Sequence, residues 1–339
     1  MRKQIRVNKL LSFLKAFFFQ KQIIVNTLIA ITVWATWLIL ISPSKAISNL
    51  FANWEIALTM VFGSMAAGAT SVGGGAVAFP ILTKVLQISS HDAKVFSLAI
   101  QSVGMGAAAL TIIAMRIRVE WQFIFWASLG GIPGIVLGIL FLFPVLPPDI
   151  IKISFTMITS SFATILFVLN RTQGRRNLAV SEWKNWKRGF SLATGLVGGT
   201  ISGLVGNGID IIGFSVMVLL FGLSEKISTP TSVILMAINA IVGFIIHRYV
   251  VGDFVEPISS YWLAAIPIVV VGAPLGAIFC NMLKRETIVK ILIGLIFIEL
   301  VSSLFLIPLK ADIIYCSLFI LTLFSAIYYW MYKTTVGQN

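Results

Sequence analysis

The chain has 339 residues, 58% of them hydrophobic and only 11% charged, with a mean hydropathy of +0.99. Such a composition excludes a soluble globular core and a disordered chain and points to a polytopic membrane protein. A net charge of +13 would suit a nucleic-acid binder, but the basic residues flank apolar stretches, in an N-terminal arm (Arg2, Lys3, Arg6, Lys9, Lys15, Lys21) and in Arg171, Arg175, Arg176, Lys184, Lys187 and Arg188. There they set topology and attract anionic lipid.

A span of the hydrocarbon layer takes about 20 apolar residues. On that scale 23–42, 93–115, 121–143, 149–169, 228–247, 260–281, 286–307 and 311–332 read as spanning helices. The first follows the basic arm. It is longer than the apolar region of a cleaved signal peptide and ends at Ser42-Pro43-Ser44-Lys45, so it reads as a retained anchor. Two longer stretches, 54–88 and 189–223, each carry a glycine cluster: Gly68-x-x-Ser71-x-Gly73-Gly74-Gly75, and 135 residues later Gly203-x-x-Gly206-x-Gly208. A helix broken at membrane depth leaves backbone groups unpaired, so the break must be enclosed by protein or line a wet cavity.

Counting charges separates two topologies. If every apolar stretch crosses once, lysine and arginine divide almost evenly between the two sides. If 54–88 and 189–223 are re-entrant hairpins, only Lys45, Lys84, Lys94, Lys152, Arg248 and Lys310 fall outside and all the others inside, as the positive-inside rule expects. The second topology makes the two halves an inverted repeat, with hairpins approaching the midplane from opposite faces. The alternative is a kinked helix at each break. At the offset of 135, Gly63, Gly68, Gly73, Phe79, Ser89 and Ser97 meet Gly198, Gly203, Gly208, Phe214, Ser224 and Ser232; at 138, Gly134-x-x-x-Gly138 meets Gly272-x-x-x-Gly276. The expected fold is therefore an all-α polytopic membrane protein, an inverted repeat of about eight spanning helices plus two glycine-broken re-entrant hairpins. Its parts are the arm and anchor (1–53), a first repeat (54–170), a basic cytoplasmic linker (171–188), a second repeat (189–307) and a C-terminal helix (308–339).

These residues resemble the sulfite exporter TauE/SafE family. The resemblance lies in Gly68-Ala-Thr-Ser-Val-Gly-Gly-Gly75 with Pro80 and Leu82, in Ala93 to Ser97, and in Ser202-Gly203-Leu-Val-Gly206-Asn207-Gly208 with Pro230-Thr231-Ser232. It covers about residues 54–307. Gly206-Asn207-Gly208-Ile209-Asp210 stands where the family shows a run of glycines, and Phe96-Ser97 where it shows Thr-Ser. The resemblance implies a bacterial-type inner-membrane transporter for sulfite, sulfonates or related small anions. A related thiosulfate-uptake group uses cysteines along its path; neither Cys280 nor Cys316 lies at a break.

Helix N-termini bind anions through free N–H groups and the helix dipole. The breaks offer such ends near Ala76 and near Asp210 or Ile211. The expected substrate-binding set is Ser71, Gly73, Gly74, Gly75, Ser97, Gly206, Asn207, Gly208, Thr231 and Ser232, the side chains adding donors to a closely approached backbone. Asp210, an acid at membrane depth beside the second break, has two readings: a proton-coupling group or a cap on the helix that follows. Glu299 is a second coupling candidate, with interhelical hydrogen bonding as its alternative. Gln101 and Asn239 read as polar glue between helices. No Arg or Lys is expected deep in a span, and His91 and His247 fall at outer ends with too few neighbours for a metal.

An intramembrane enzyme would need a deep nucleophile with its base, paired acids or metal ligands, and none is apparent. The expectation is a secondary transporter, probed against an anion channel as the alternative. It would sit as a multi-pass protein in the plasma membrane with both termini cytoplasmic. It would need no cofactor. Its partners would be a small anion and the bilayer, with a homo-oligomer left open and nucleic acid excluded.

Overall fold

The computed structural model describes residues 24–39, 41–71, 78, 81–171, 177–307 and 310–336. The basic arm, the glycines at 73–75, Arg175 and Arg176 lie outside these residues. Among the described residues all regular structure is helical: α1 (Ile24–Ile39), α2 (Pro43–Ala52), α3 (Trp54–Ala69), α4 (Ser90–Ala114), α5 (Trp121–Leu137), α6 (Pro148–Arg171), α7 (Asn185–Val205), α8 (Ile209–Leu219), α9 (Glu225–Ile245), α10 (Ile258–Met282), α11 (Arg285–Leu306) and α12 (Ala311–Val336). Short π-helical turns precede α4 (Ile81–Val85) and extend α5 (Gly138–Leu142) and α9 (Ile246–Val251).

Seven helices, α4, α5, α6, α9, α10, α11 and α12, are long and apolar enough to cross a membrane. The expected span at 23–42 differs: α1 and α2 meet at 102°, with Pro43 opening the second helix, and they make one span only if the bent pair is counted together. Trp34 and Trp37 tie α1 to α10 by donating to the carbonyls of Pro267 and Leu263. Helices α3 and α8, with 16 and 11 residues, are about 24 and 16 Å long at 1.5 Å per residue, too short for a ~30 Å hydrocarbon layer.

The tightest packing crosses between the halves. Helix α5 runs along α7, and α10 along α3. Small residues allow it, because a Cβ at Gly130 would overlap the Leu192 carbonyl oxygen and one at Gly195 that of Ala127. Backbones this close gain dispersion and Cα–H···O contacts that larger side chains would forfeit. The contacts repeat in register. Gly68 faces the Ala273 carbonyl as Gly203 faces that of Ile135, and Gly276 faces the Met65 carbonyl as Gly138 faces that of Thr200. The glycine-bearing arms α3 and α7 are related by 135 and their partners α10 and α5 by 138, the two offsets found in the sequence.

The chain doubles back at both breaks. Ala78 lies against Gly63, and Leu82 shares a cavity with Met60. After α8 the chain returns to the residues that led into α7: Asn177 N–H donates to the Gly222 carbonyl and Ser224 N–H to that of Asn177. Every residue of α8 is buried. Phe162, Phe214 and Tyr328 stack edge to face beside it, and Phe123 and Phe221 extend the cluster. At the other extreme, only 11% of the most apolar window of α12 is buried, against 72% for α9, so α12 lies at the lipid-facing rim.

This clasp gives a direct test. Gly130→Ala should lose folded protein or lower the melting midpoint in detergent by the equivalent of about 2 kcal/mol or more, through overpacking. Gly106→Ala, where an added Cβ meets nothing within 4 Å, should be neutral or stabilise by up to ~1 kcal/mol through helix propensity. Equal midpoints for the two variants would show that the backbone contact carries no weight.

Candidate functional site

Helix α7 ends because Gly206 takes a left-handed conformation (φ 95°), its N–H donating to the Ser202 carbonyl at 2.8 Å. An L-residue there would pay the left-handed penalty of about 1–2 kcal/mol, and its Cβ would also stand 3.0 Å from that of Ser97. The Gly206 carbonyl, freed from the helix, accepts from Gln101 Nε2 at 3.0 Å and from Ser97 Oγ at 3.4 Å. Gln101 Nε2 also donates to Ser97 Oγ at 2.7 Å. Helix α4 of the first half thus holds the break of the second.

The start of α8 is closed by its own chain. Asp210 Oδ1 accepts from Gly208 N–H (3.1 Å) and Ile211 N–H (3.0 Å), and Ser202 Oγ accepts from Ile209 N–H (2.9 Å). The capping geometry expected of Asp210 is present, and the N–H groups expected to face an anion hold a carboxylate and a hydroxyl instead. Asp210 is 1% exposed, and its Oδ2 has no hydrogen-bond partner. Glu299 of α11, also buried with an unpartnered Oε2, lies within electrostatic reach of it. Two acids distant in sequence therefore lie within electrostatic reach of each other behind the second break. Asn207, in the short connection between α7 and α8, is buried.

At the first break Ser71 is buried, and its hydroxyl has no partner. A small cavity of about 30 Å³ lies among α3, α4 and α10. Its wall is apolar, with Met60, Ala78, Leu82 and Phe96, except for Ser64, Ser97 and Gln101. Ser64 Oγ and Gln101 Oε1 have no hydrogen-bond partner. Ser97 and Gln101 stand between this cavity and Gly206, so one polar wall touches the first cavity and the second break. Thr231 and Ser232 sit apart from it. The Thr231 hydroxyl donates to the Ile227 carbonyl (2.6 Å) and accepts from Glu120 N–H (3.0 Å), and that of Ser232 donates to the Thr229 carbonyl (2.8 Å).

A family model described as "Sulfite exporter TauE/SafE" matches residues 56–303. The chain belongs to the sulfite exporter TauE/SafE family. It is a multi-pass membrane protein of a transporter family, and the match spans both broken segments with the helices that clasp them. No curated protein and no solved structure matches the chain.

In this TauE/SafE protein one cluster went unseen in the sequence. Lys94, in the second turn of α4, is buried, with its Nζ 3.1 Å from the centroid of the Phe143 ring. His247, expected at an outer surface, is buried too, its Nδ1 2.8 Å from Asp253 Oδ1; His91 Nε2 reaches Asp253 Oδ2 at 3.1 Å. Asp253 follows α9 in the chain but folds back over the start of α4, a tertiary contact that no local pattern announces. Burial pushes the Asp253 carboxyl up, yet the hydrogen bonds from His247 and His91 outweigh it and hold the group well below the usual carboxylate range.

A carboxyl whose folded-state pKa lies below its unfolded value of about 3.9 adds stability above that value and loses it as pH falls toward the folded one. The melting midpoint of the wild type should therefore fall as pH drops below about 4. Asp253→Asn should melt lower at pH 7 and lose less between pH 7 and pH 3. Parallel acid limbs for the two proteins would show that the pairing adds nothing.

Proposed function

We propose that this TauE/SafE protein is a secondary transporter that moves a small sulfur-containing anion, of the sulfite or sulfonate class, across the plasma membrane with both termini on the cytoplasmic side. The observation that carries the reading is the pair of interrupted elements, each clasped by a helix of the opposite half at equivalent glycines. Two halves that grip each other's broken segment can rock about a shared centre, and an inverted repeat would then make the two end states alike. In this reading α3 with the residues after it, and α7 with α8, are re-entrant hairpins from opposite faces.

The anion would sit in the cavity at the first break, against Ser64, Ser97 and Gln101; Ser71, Gly73, Gly74 and Gly75 are proposed as further ligands on the sequence pattern alone. No Arg or Lys lines that cavity, so backbone donors and hydroxyls would hold the substrate weakly enough for release. Asp210 already occupies the α8 N-terminus with its own carboxylate. A proton on Asp210 or Glu299 would lower the negative charge near the path and make proton and anion binding mutually favourable.

Two experiments test this. Radiolabelled sulfite in proteoliposomes should enter saturably and respond to a pH gradient; Asp210→Asn should keep exchange at equal concentrations and lose gradient-driven accumulation. Wild-type accumulation by Asp210→Asn would leave only the capping role. For topology, Cys280 and Cys316 are first replaced by alanine. Ser89→Cys should then react with an impermeant thiol reagent from outside and Lys226→Cys only from the cytoplasm. Labelling of both from one side would end the opposed-hairpin arrangement.

A further inference from the structure

A small cavity of about 50 Å³ lies between the start of α4, the start of α6 and the last turn of α7. Ser90, His91, Lys94, Phe143, Lys152 and Val205 line it. Lys94 is 2% exposed, and its Nζ has no hydrogen-bond partner. A buried ammonium that has given up its water is costly unless something replaces the lost hydrogen bonds. The Phe143 ring face offsets part of that cost but accepts no hydrogen bond of ordinary strength. Asp253, whose charge reaches Lys94, already accepts from His91 and His247. The other charged groups nearby are Asp92, which contacts His91, and Asp149, which acts on Lys152. Around this space stand two lysines and a histidine, with one of the lysines sealed in and unsatisfied.

The repeat gives the cavity a meaning. A smaller cavity lies at Gly68 and includes Lys226, Thr229 and Asn281. At the offset of 135, His91 and Lys94 correspond to Lys226 and Thr229, and at 138 Phe143 corresponds to Asn281. Gly68 itself corresponds to Gly203, one residue from Leu204 in the larger cavity. The two spaces are equivalent places, each beyond the end of one broken arm. The one with Lys94 lies at the end of the bundle that charge counting places outside.

We propose that the Lys94 cavity is a binding site for a small oxyanion of the sulfite type, held by Lys94 and Lys152. Resting on the transport reading above, it would serve as a waiting site at the outer end of the path, separate from the cavity at Ser64, Ser97 and Gln101. Lys94 supplies the charge that the central cavity lacks, so anions would gather here before release to the weaker site.

The test uses the full chain in detergent micelles, with radiolabelled sulfite binding and the melting midpoint as readouts. Lys94→Met should weaken sulfite binding about tenfold or more, the worth of one charge-assisted hydrogen bond, and Lys94→Arg should restore most of it. Lys152→Gln, on a different helix, should weaken it independently, and Lys45→Met, which removes an exposed charge, should not. Equal binding by wild type and Lys94→Met, or no binding of sulfite or sulfate by the wild type, would overturn the proposal. So would a Lys94-dependent shift produced by short-chain phosphatidylglycerol but not by sulfite, which would make the occupant a lipid headgroup. Lys94-dependent binding in a protein that moves no sulfite would sink the transport reading and leave the site standing.

Discussion

Hydrocarbon offers no hydrogen bonds, so a helix interrupted inside a membrane must bring its own partners. Where α7 gives way to α8, those partners can be named. The Gly206 carbonyl goes to Gln101 and Ser97, and the N–H groups of Gly208, Ile209 and Ile211 go to Asp210 and Ser202. None of this would hold if lipid tails could reach the break. The glycine faces of α5 and α7 keep them out by bringing backbone against backbone, as do those of α3 and α10. Small side chains here serve a polar purpose: they exclude lipid so that a short unwound segment can persist.

The two ends of the bundle are fastened by different chemistry. At one end Arg285 Nε donates to the fully buried Glu225 at 2.6 Å, while Glu120 accepts from Val180 N–H and Trp183 Nε1. These contacts join the linker region, α9 and α11 through permanent charges. At the other end the fastening runs through two histidines and one carboxylate. Histidine changes charge in the physiological range, whereas an arginine–carboxylate pair does not.

Most of the architecture was legible because lipid imposes simple length rules. Seven expected spans correspond to α4–α6 and α9–α12, and the offsets of 135 and 138 recur as spatial contacts at Gly68 and Gly203 and at Gly138 and Gly276. The first span ends at Pro43 as the sequence suggested, but its helix, Ile24–Ile39, counts as a span only together with the bent α2 that Pro43 opens. Within the site, Ser97 and Gly206 were singled out and do meet. Gln101 read as glue, and it glues one half to the broken segment of the other. Lys94 was missed because a lysine at the start of a span reads as interfacial. Its burial depends on Phe143 and on the loop carrying Asp253, both distant in sequence. Thr231 and Ser232, at the repeat positions of Phe96 and Ser97, donate to carbonyls of their own helix instead, a difference that the shared serine cannot disclose.

The interlocked halves also bear on how the chain is made. The partner of α7 is α5, which precedes it, so the second broken segment finds its cover waiting as it enters the bilayer. The partner of α3 is α10, and Gly68 meets Ala273 only after about two hundred further residues have been synthesised, a long loop to close. Until then the first broken segment has no clasp and its backbone must be shielded by the insertion machinery or by water. Assembly is therefore asymmetric in time even where the finished structure repeats in space, and a ribosome stalled before α10 would leave the first half inserted but unfinished.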